Sequence, residues 1–526
     1  MLDILIQNGT LIDGSGAPAS HGSIGMKDGK LVEANGTEEA TRVIDAAGRV
    51  VCPGFIDSHS HGDAPLGTEN GRLFKTPQGI TTEQCGNCGT SRAPIVLENA
   101  QDLHNAFLSR VPMEEFCKWT TFSAYLRWCE KQNLSANARF YVGHRMLRRG
   151  VMGMDNRPPT KKEMDTMRGM LREAMEAGAA GLSTGLVYVP ACYATTEEII
   201  ELAKVIEPFG GIYATHMRNE AEGLIDSVNE AIRIGREAGV RVCISHHKAL
   251  GRPNWGMQKK SLQMIADANA RGEYVTCDQY PYTRNMTGLY SCMPNWYFSE
   301  GMTKVAQQLR DPAFRTRMRR EMDDPASPYD NYYLNAGGWD GVFITSMPGV
   351  PEAEGKFVTE YAQSIGKDPW EAYFDLMMNS DCGGQAVYSS MCDEDVCDII
   401  QSPFCVVGTD GINSDWNKPG HPRGSSTFPH AINFFVREKK LFPLETMIHK
   451  MTGLTAERLR FANKGLLKEG YDADVLIFDY DRLHDPATYQ DPNRLTEGMD
   501  HVFVNGQCVY ENMSFTGVYS GRVVRL

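Results

Sequence analysis

The stretch IYATHMRNEAEGLIDSVNEAIRIGREAGVRVCISHHK, Ile212 to Lys248, reads as strand, helix, strand. Its two strand-like runs, IYATHM and RVCISHH, each close on histidine, His216 and His246. The alternation continues outward on both sides. Upstream, TKKEMDTMRGMLREAMEAG opens with Thr160 and Glu163 at capping-box spacing and repeats Met164, Met167, Leu171 and Met175 at helical spacing. It ends at Gly178 and leads into the strand-like AAGLSTGL, and TTEEIIELAKVIEPFG follows. Downstream, SLQMIADANARG precedes YVTCDQYPY, and much later DEDVCDIIQS precedes CVVGTD. With VVCPGFIDS, GITTEQCG and ARFYVGH earlier in the chain, eight candidate strands alternate with helices. That count and order predict an α/β fold, a (β/α)8 barrel. The helical methionines are read as core packing.

The two ends of the chain read differently. Residues 1–50 are short β-like runs separated by Gly, Asn and Asp turns, and residues 462–526 repeat that texture, with Asn505-Gly506 placed as a hairpin turn. The expectation is one small β-sandwich domain built from both termini, flanking a barrel over 51–461. Between Thr283 and Phe404 the gap is too long for a loop, so about 285–403 is read as an inserted lid subdomain before the last strand.

At 526 residues the chain exceeds what one hydrophobic core supports, which agrees with a barrel plus a smaller unit. A net charge of -13 argues against a nucleic-acid or anionic-membrane partner. No apolar run approaches membrane-spanning length, and the N-terminus lacks a basic region followed by an apolar one. Fourteen cysteines scattered without a secretory signal are expected to be reduced thiols. These features make a soluble cytoplasmic enzyme the expectation.

Six residues stand at or just past the ends of predicted strands: His59, His61, Cys88, His216, His246 and Asp410. In VVCPGFIDSHSHGD, Val50 to Asp63, alternation puts Asp57, His59 and His61 on one face. A barrel gathers strand ends at one mouth, so the six would converge there. A thiolate with imidazoles is a zinc donor set, and a carboxylate beside the metal suits proton abstraction from a bound water. Cys85 and Cys88 also form a C-x-x-C, open to a structural-zinc or redox reading, although no second such pair exists. The flanking glycines favour Cys88 at the mouth. His247 points away from His246 if the strand continues, which suits the core. His144 in YVGHRMLRR ends strand three and would face the mouth.

Nine motifs in order, PGFIDSHSH, QGITTEQCGNCG, GLSTGLVY, THMRNE, ISHHK, DQYPYT, VVGTDG, HPRGSSTFP and MTGLTAERL, resemble the amidohydrolase superfamily. Within it they are similar to the N-acyl-D-amino-acid deacylases, over nearly the whole chain. The resemblance implies a tightly held zinc on Cys88, His216 and His246. It also implies a weaker second metal position on His59 and His61 that shares the cysteine. Asp410 matches the catalytic acid/base, and Lys248, Tyr282 and Arg423 match contacts to the substrate carboxylate. The implied reaction is hydrolysis of N-acyl-D-amino acids.

Dihydroorotase- and hydantoinase-like relatives carry a bridging lysine at the end of strand four. Here that strand offers Ser183 and Thr184, and the cysteine replaces the lysine as bridge. Gly62 before Asp63 and the extra Cys85 depart from the pattern and bear on substrate choice. Competing readings are ring-opening of a cyclic amide, disfavoured by the missing lysine, and a barrel scaffold without chemistry, disfavoured by the complete donor set.

Overall fold

A computed structural model describes residues 1–63, 66–106, 111–412 and 415–526. Eight parallel strands form the barrel. Phe55–Asp57 pairs with Ile80–Cys85, and that strand pairs with Asn137–Phe140. The third strand continues as Val142–Gly143 beside Gly181–Gly185, and Ile212–His216, Arg241–Ile244, Val275–Gln279 and Cys405–Val407 follow in order. The circle closes where Ser60 meets Gly411 in a parallel bridge and the Asp410 N–H donates to His59 O at 2.8 Å. All eight predicted strands are present.

The helices form because their apolar residues repeat on one face. Lys161–Glu176 begins at the Thr160–Glu163 capping box and buries Met167, Leu171 and Met175, as the spacing predicts. Leu224–Ala238 buries Leu224, Val228, Ala231 and Ile232, then stops at left-handed Gly239. Each fully buried Leu or Ile contributes about 1.5–3 kcal/mol.

The terminal segments share one nine-stranded sheet, joined where Val50–Pro53 pairs antiparallel with Val475–Phe478. The strand Leu2–Leu11 has three neighbours. It pairs antiparallel with Ser20–Lys27, with a register shift between Ile6 and Gly9, while its first residues pair in parallel with Ala40–Asp45 and its last two with Val50–Pro53, as when a sandwich strand passes between layers. Ile4, Ile6, Ile24, Met26, Val51, Val475 and Phe503 make its core. The expected hairpin is present, with Asn505 and Gly506 both at positive φ between Val504 and Gln507.

The apolar run VVCPGFIDS is split at Gly54: Val50–Pro53 belongs to the terminal sheet and Phe55–Asp57 to the barrel. A side chain at Gly54 would sit 2.1 Å from Thr81 Oγ1, so the crossing between sheets needs glycine. A continuous apolar run hid this break. The segment read from the sequence as an insertion builds a four-stranded antiparallel sheet from Asn285–Gly288, Gln385–Tyr388, Val342–Ser346 and Lys356–Phe357. Helix Asp393–Gln401, which follows it, packs against the last two barrel strands. Among the described residues no helix is long and apolar enough to cross a membrane.

The seam between the first and last barrel strands is held by a buried lysine. Lys75 Nζ donates to Asp57 Oδ2 at 2.7 Å and Ser60 Oγ at 2.8 Å, with Glu83 Oε2 at 3.5 Å. Asp57 also accepts the Thr409 N–H at 2.8 Å and the His59 N–H at 3.2 Å. Lys75→Met would strand two buried carboxylates, a loss of about 3–5 kcal/mol. A denaturation midpoint equal to that of the unaltered protein would refute this.

Candidate metal centre

The mouth of the barrel is built on tight turns. Cys88 follows the second strand in GNCG at φ 52°, between Gly86 at φ 77° and Gly89 at φ 71°. A Cβ on Gly86 would meet Tyr141 O at 2.4 Å, so the turn admits no side chain there. His246 and Asp410 are also left-handed, at φ 37° and 46°. Such conformations cost about 1–3 kcal/mol each and persist only where surrounding contacts hold them. Here the Asp278 carboxylate accepts the His246 N–H at 2.7 Å, and His59 O accepts the Asp410 N–H at 2.8 Å.

The structure brings all six strand-end residues together. Donor atoms of His59, His61, Cys88 and Asp410 lie within 4.8 Å of one another, as do those of Cys88, His216 and His246. Cys88 belongs to both groups, with its Sγ 3.3 Å from His59 Nε2 and 3.4 Å from His246 Nε2. Asp410 Oδ1 lies 3.2 Å from His61 Nε2 and 3.5 Å from His59 Nε2. Asp57, expected on the same face, is engaged instead with Lys75 and Thr409.

Burial by itself would raise the Cys88 thiol, but the neighbouring His59 and His246 hold it well below the ordinary thiol range. Burial likewise opposes the charge on Asp410, and Arg423 with His246 and His61 overcomes it, keeping the carboxyl well below its usual range. A thiolate, four imidazoles and a carboxylate, all gathered at one place, are donors that suit zinc.

A further ring of groups, not singled out from the sequence, orients these donors. His59 Nδ1 faces Asp278 Oδ1 at 3.3 Å, and His246 Nδ1 faces Glu220 Oε1 at 3.1 Å. Glu220 Oε2 lies 3.5 Å from His216 Nε2, and Tyr188 Oη lies 3.4 Å from His216 Nδ1. Carboxylates behind metal-binding imidazoles fix ring orientation and tautomer. The signal was in the motifs THMRNE and DQYPYT, but their acids lie in loop and strand positions whose direction only the fold reveals. At the end of strand four, Ser183 Oγ accepts the Gly89 N–H at 3.1 Å and donates to Gly86 O, bracing the cysteine turn.

The expected carboxylate contacts are placed as follows. Lys248 and Arg423 are both buried, but neither is a free cation. Lys248 Nζ donates to both Glu220 oxygens at 2.8 and 2.9 Å, and Arg423 Nη1 pairs with Asp410 Oδ2 at 2.8 Å. The aromatic ring beside both is Tyr280, with the Arg423 guanidinium 4.7 Å and Lys248 Nζ 5.9 Å from its centroid. Tyr282 instead stacks on His430 at 4.5 Å and meets His421 edge-on, with its hydroxyl buried and lacking a hydrogen-bond partner among the described residues. This corrects the sequence expectation. The strand ends at Gln279, so alternation no longer says which tyrosine of Tyr280-Pro281-Tyr282 faces the cations.

His144 does not join the cluster. It opens helix His144–Met152, and its Nε2 lies 2.9 Å from Glu198, which also accepts from Arg148 at 2.6 Å. His247 faces Ser261 Oγ at 2.8 Å, and burial pushes its pKa down to about 4. Cys85 is buried in the apolar core, where burial raises its thiol well above the usual range, and it belongs to neither donor group around Cys88.

The family model described as Amidohydrolase family matches residues 42–510. The chain is 37% identical over 525 residues to a D-aminoacylase of Alcaligenes xylosoxydans xylosoxydans, covering 99% of this chain and 97% of that relative. A solved D-aminoacylase structure, described as having a binuclear metal centre with one-metal activation and second-metal attenuation, superposes with a TM-score of 0.85 at 34% identity and full coverage of both chains. The N-acyl-D-glutamate deacylase of Bordetella bronchiseptica, solved with zinc and a phosphonate mimic of the tetrahedral intermediate, gives 0.84 at 32% identity, again over the whole of both chains. With a barrel of eight parallel strands whose mouth gathers one cysteine, four histidines and an aspartate, the chain belongs to the amidohydrolase family.

Proposed function

We propose that the protein is a zinc-dependent N-acyl-D-amino-acid deacylase, which hydrolyses the linear amide to a carboxylate and a free D-amino acid. The observation that carries this reading is Cys88 shared between two donor groups with Asp410 beside it, in a chain 37% identical over 99% of its length to a D-aminoacylase. Cys88, His216 and His246 would hold the tighter zinc, and His59 and His61 a weaker one. Zinc in such a site supplies Lewis-acid polarisation of the acyl carbonyl and acidification of water.

The chain's own residues do the rest. Asp410, held ionised, takes the proton of the attacking water and then delivers it to the departing nitrogen. Arg423 and Lys248 meet the substrate carboxylate, and Tyr280 lines the space beside both. The insertion contributes to this end of the site, since Arg423 Nη2 donates to Met286 O at 3.2 Å. A reducing, cytoplasmic setting fits fourteen cysteines that are all free of disulfides. An acidic protein whose site cations are already matched by Glu220 and Asp410 fits a small carboxylate substrate better than a polyanion.

Purified protein should carry about one tightly bound zinc per chain, and Cys88→Ala should lose it. Full metal content in that variant, measured by atomic absorption, would remove the cysteine from the centre. Asp410→Asn should keep zinc and fold while losing about 10²-fold or more in turnover. Retained turnover would place the proton transfer elsewhere.

A panel of N-acetyl D- and L-amino acids tests the substrate. Activity should favour the D series, and primary amides lacking the carboxylate should be poor. Arg423→Met should cost about 2–5 kcal/mol in kcat/KM on carboxylate substrates. Part of that loss acts through the unpaired Asp410, so the cost on amide analogues should be smaller but not zero. A preference for L-substrates, or equal losses on both substrate types, would contradict the carboxylate clamp.

A further inference from the structure

His246 Nδ1 has two close neighbours that ask opposite things of it. Lys248 Nζ, a donor, is 2.7 Å away, and Glu220 Oε1, which already accepts from Lys248 at 2.8 Å, is 3.1 Å away. The ring's other nitrogen, Nε2, faces the Cys88 sulfur at 3.4 Å. Glu220 is itself rigidly placed. It is fully buried, its N–H donates to Asp330 of the insertion at 3.0 Å, and its carbonyl accepts the Leu250 N–H at 2.7 Å.

We infer that Glu220 is a positioning residue with two coupled duties: it fixes the His246 ring through Nδ1, and it anchors the Lys248 ammonium for the substrate carboxylate. This rests on His246 being a metal ligand through Nε2. An imidazole that binds metal at Nε2 carries its proton on Nδ1. That N–H donates to Glu220, and the same proton turns the Lys248 contact into donor against donor. Lys248 therefore leaves His246 but keeps its two bonds to Glu220, at 2.8 and 2.9 Å. Metal loading and readiness for the substrate carboxylate are linked through one buried glutamate.

The two partners of Nδ1 should then affect metal binding in opposite directions. Zinc affinity is measured on the full-length protein by chelator competition, without substrate. Glu220→Gln should bind zinc about 10–100-fold more weakly. Lys248→Met should bind at least as tightly as the unaltered protein, because it removes the donor that competes for Nδ1. With zinc saturating, Glu220→Gln should raise KM for an N-acetyl-D-amino acid but not for its primary amide, and should add nothing to KM in the Lys248→Met background. A glutamate serving only the fold would not produce this split. Unchanged affinity in Glu220→Gln, or weaker affinity in Lys248→Met, overturns the inference. Lys248→Met decides the matter alone if Glu220→Gln does not fold. Unaltered protein that takes up no zinc would overturn both this inference and the metal reading. Intact zinc effects in a protein inactive on every N-acyl-D-amino acid would overturn the deacylase reading alone.

Discussion

A single sulfur atom sets the terms for the barrel mouth. Cys88 Sγ is the point where two groups of donors overlap, and it can sit there only because its turn is left-handed and its flanking glycines let the chain press against Tyr141 and Gly185. The thiol is stabilised as thiolate by His59 and His246 against the cost of burial. Ser183 in the fourth barrel strand braces the same turn.

Around that point the charges are arranged in matched pairs. Asp278 stands behind His59, Glu220 behind His246, Arg423 beside Asp410 and Lys248 beside Glu220. Lone charges buried this deeply would be very costly, whereas paired and hydrogen-bonded ones are tolerated. Under the proposed function, a substrate carboxylate would share cations that already have carboxylate partners, which requires no excess of positive charge in an acidic chain.

The remaining architecture keeps this arrangement rigid. The Lys75–Asp57–Thr409 contacts close the barrel where the HxH strand meets the Asp410 strand. The insertion reaches the site at two points, through Met286 to Arg423 and through Asp330 to Glu220. Arg423 and the Lys248–Glu220 pair, which the proposed function sets against the substrate carboxylate, are thus held partly from outside the barrel strands.

Much of this was legible in the residues alone. Strand-then-helix alternation specifies a barrel because parallel strands need helical crossovers, and a barrel collects strand ends at one mouth. Hence His59, His61, Cys88, His216, His246 and Asp410 could be gathered from a single sequence, and Asn505-Gly506 could be placed as a turn. What the sequence could not decide were matters of direction. It did not show the break at Gly54, because an apolar run looks the same whether one sheet or two share it. It did not show that His144 turns toward Glu198, that Tyr280 rather than Tyr282 lies beside the cations, or that Glu220 and Asp278 stand behind the imidazoles. Side chains beyond the last regular residue of a strand lose the period-two rule, and their directions are set by packing against segments distant in the sequence, as for His144 and Glu198. Only the tertiary structure supplies those neighbours.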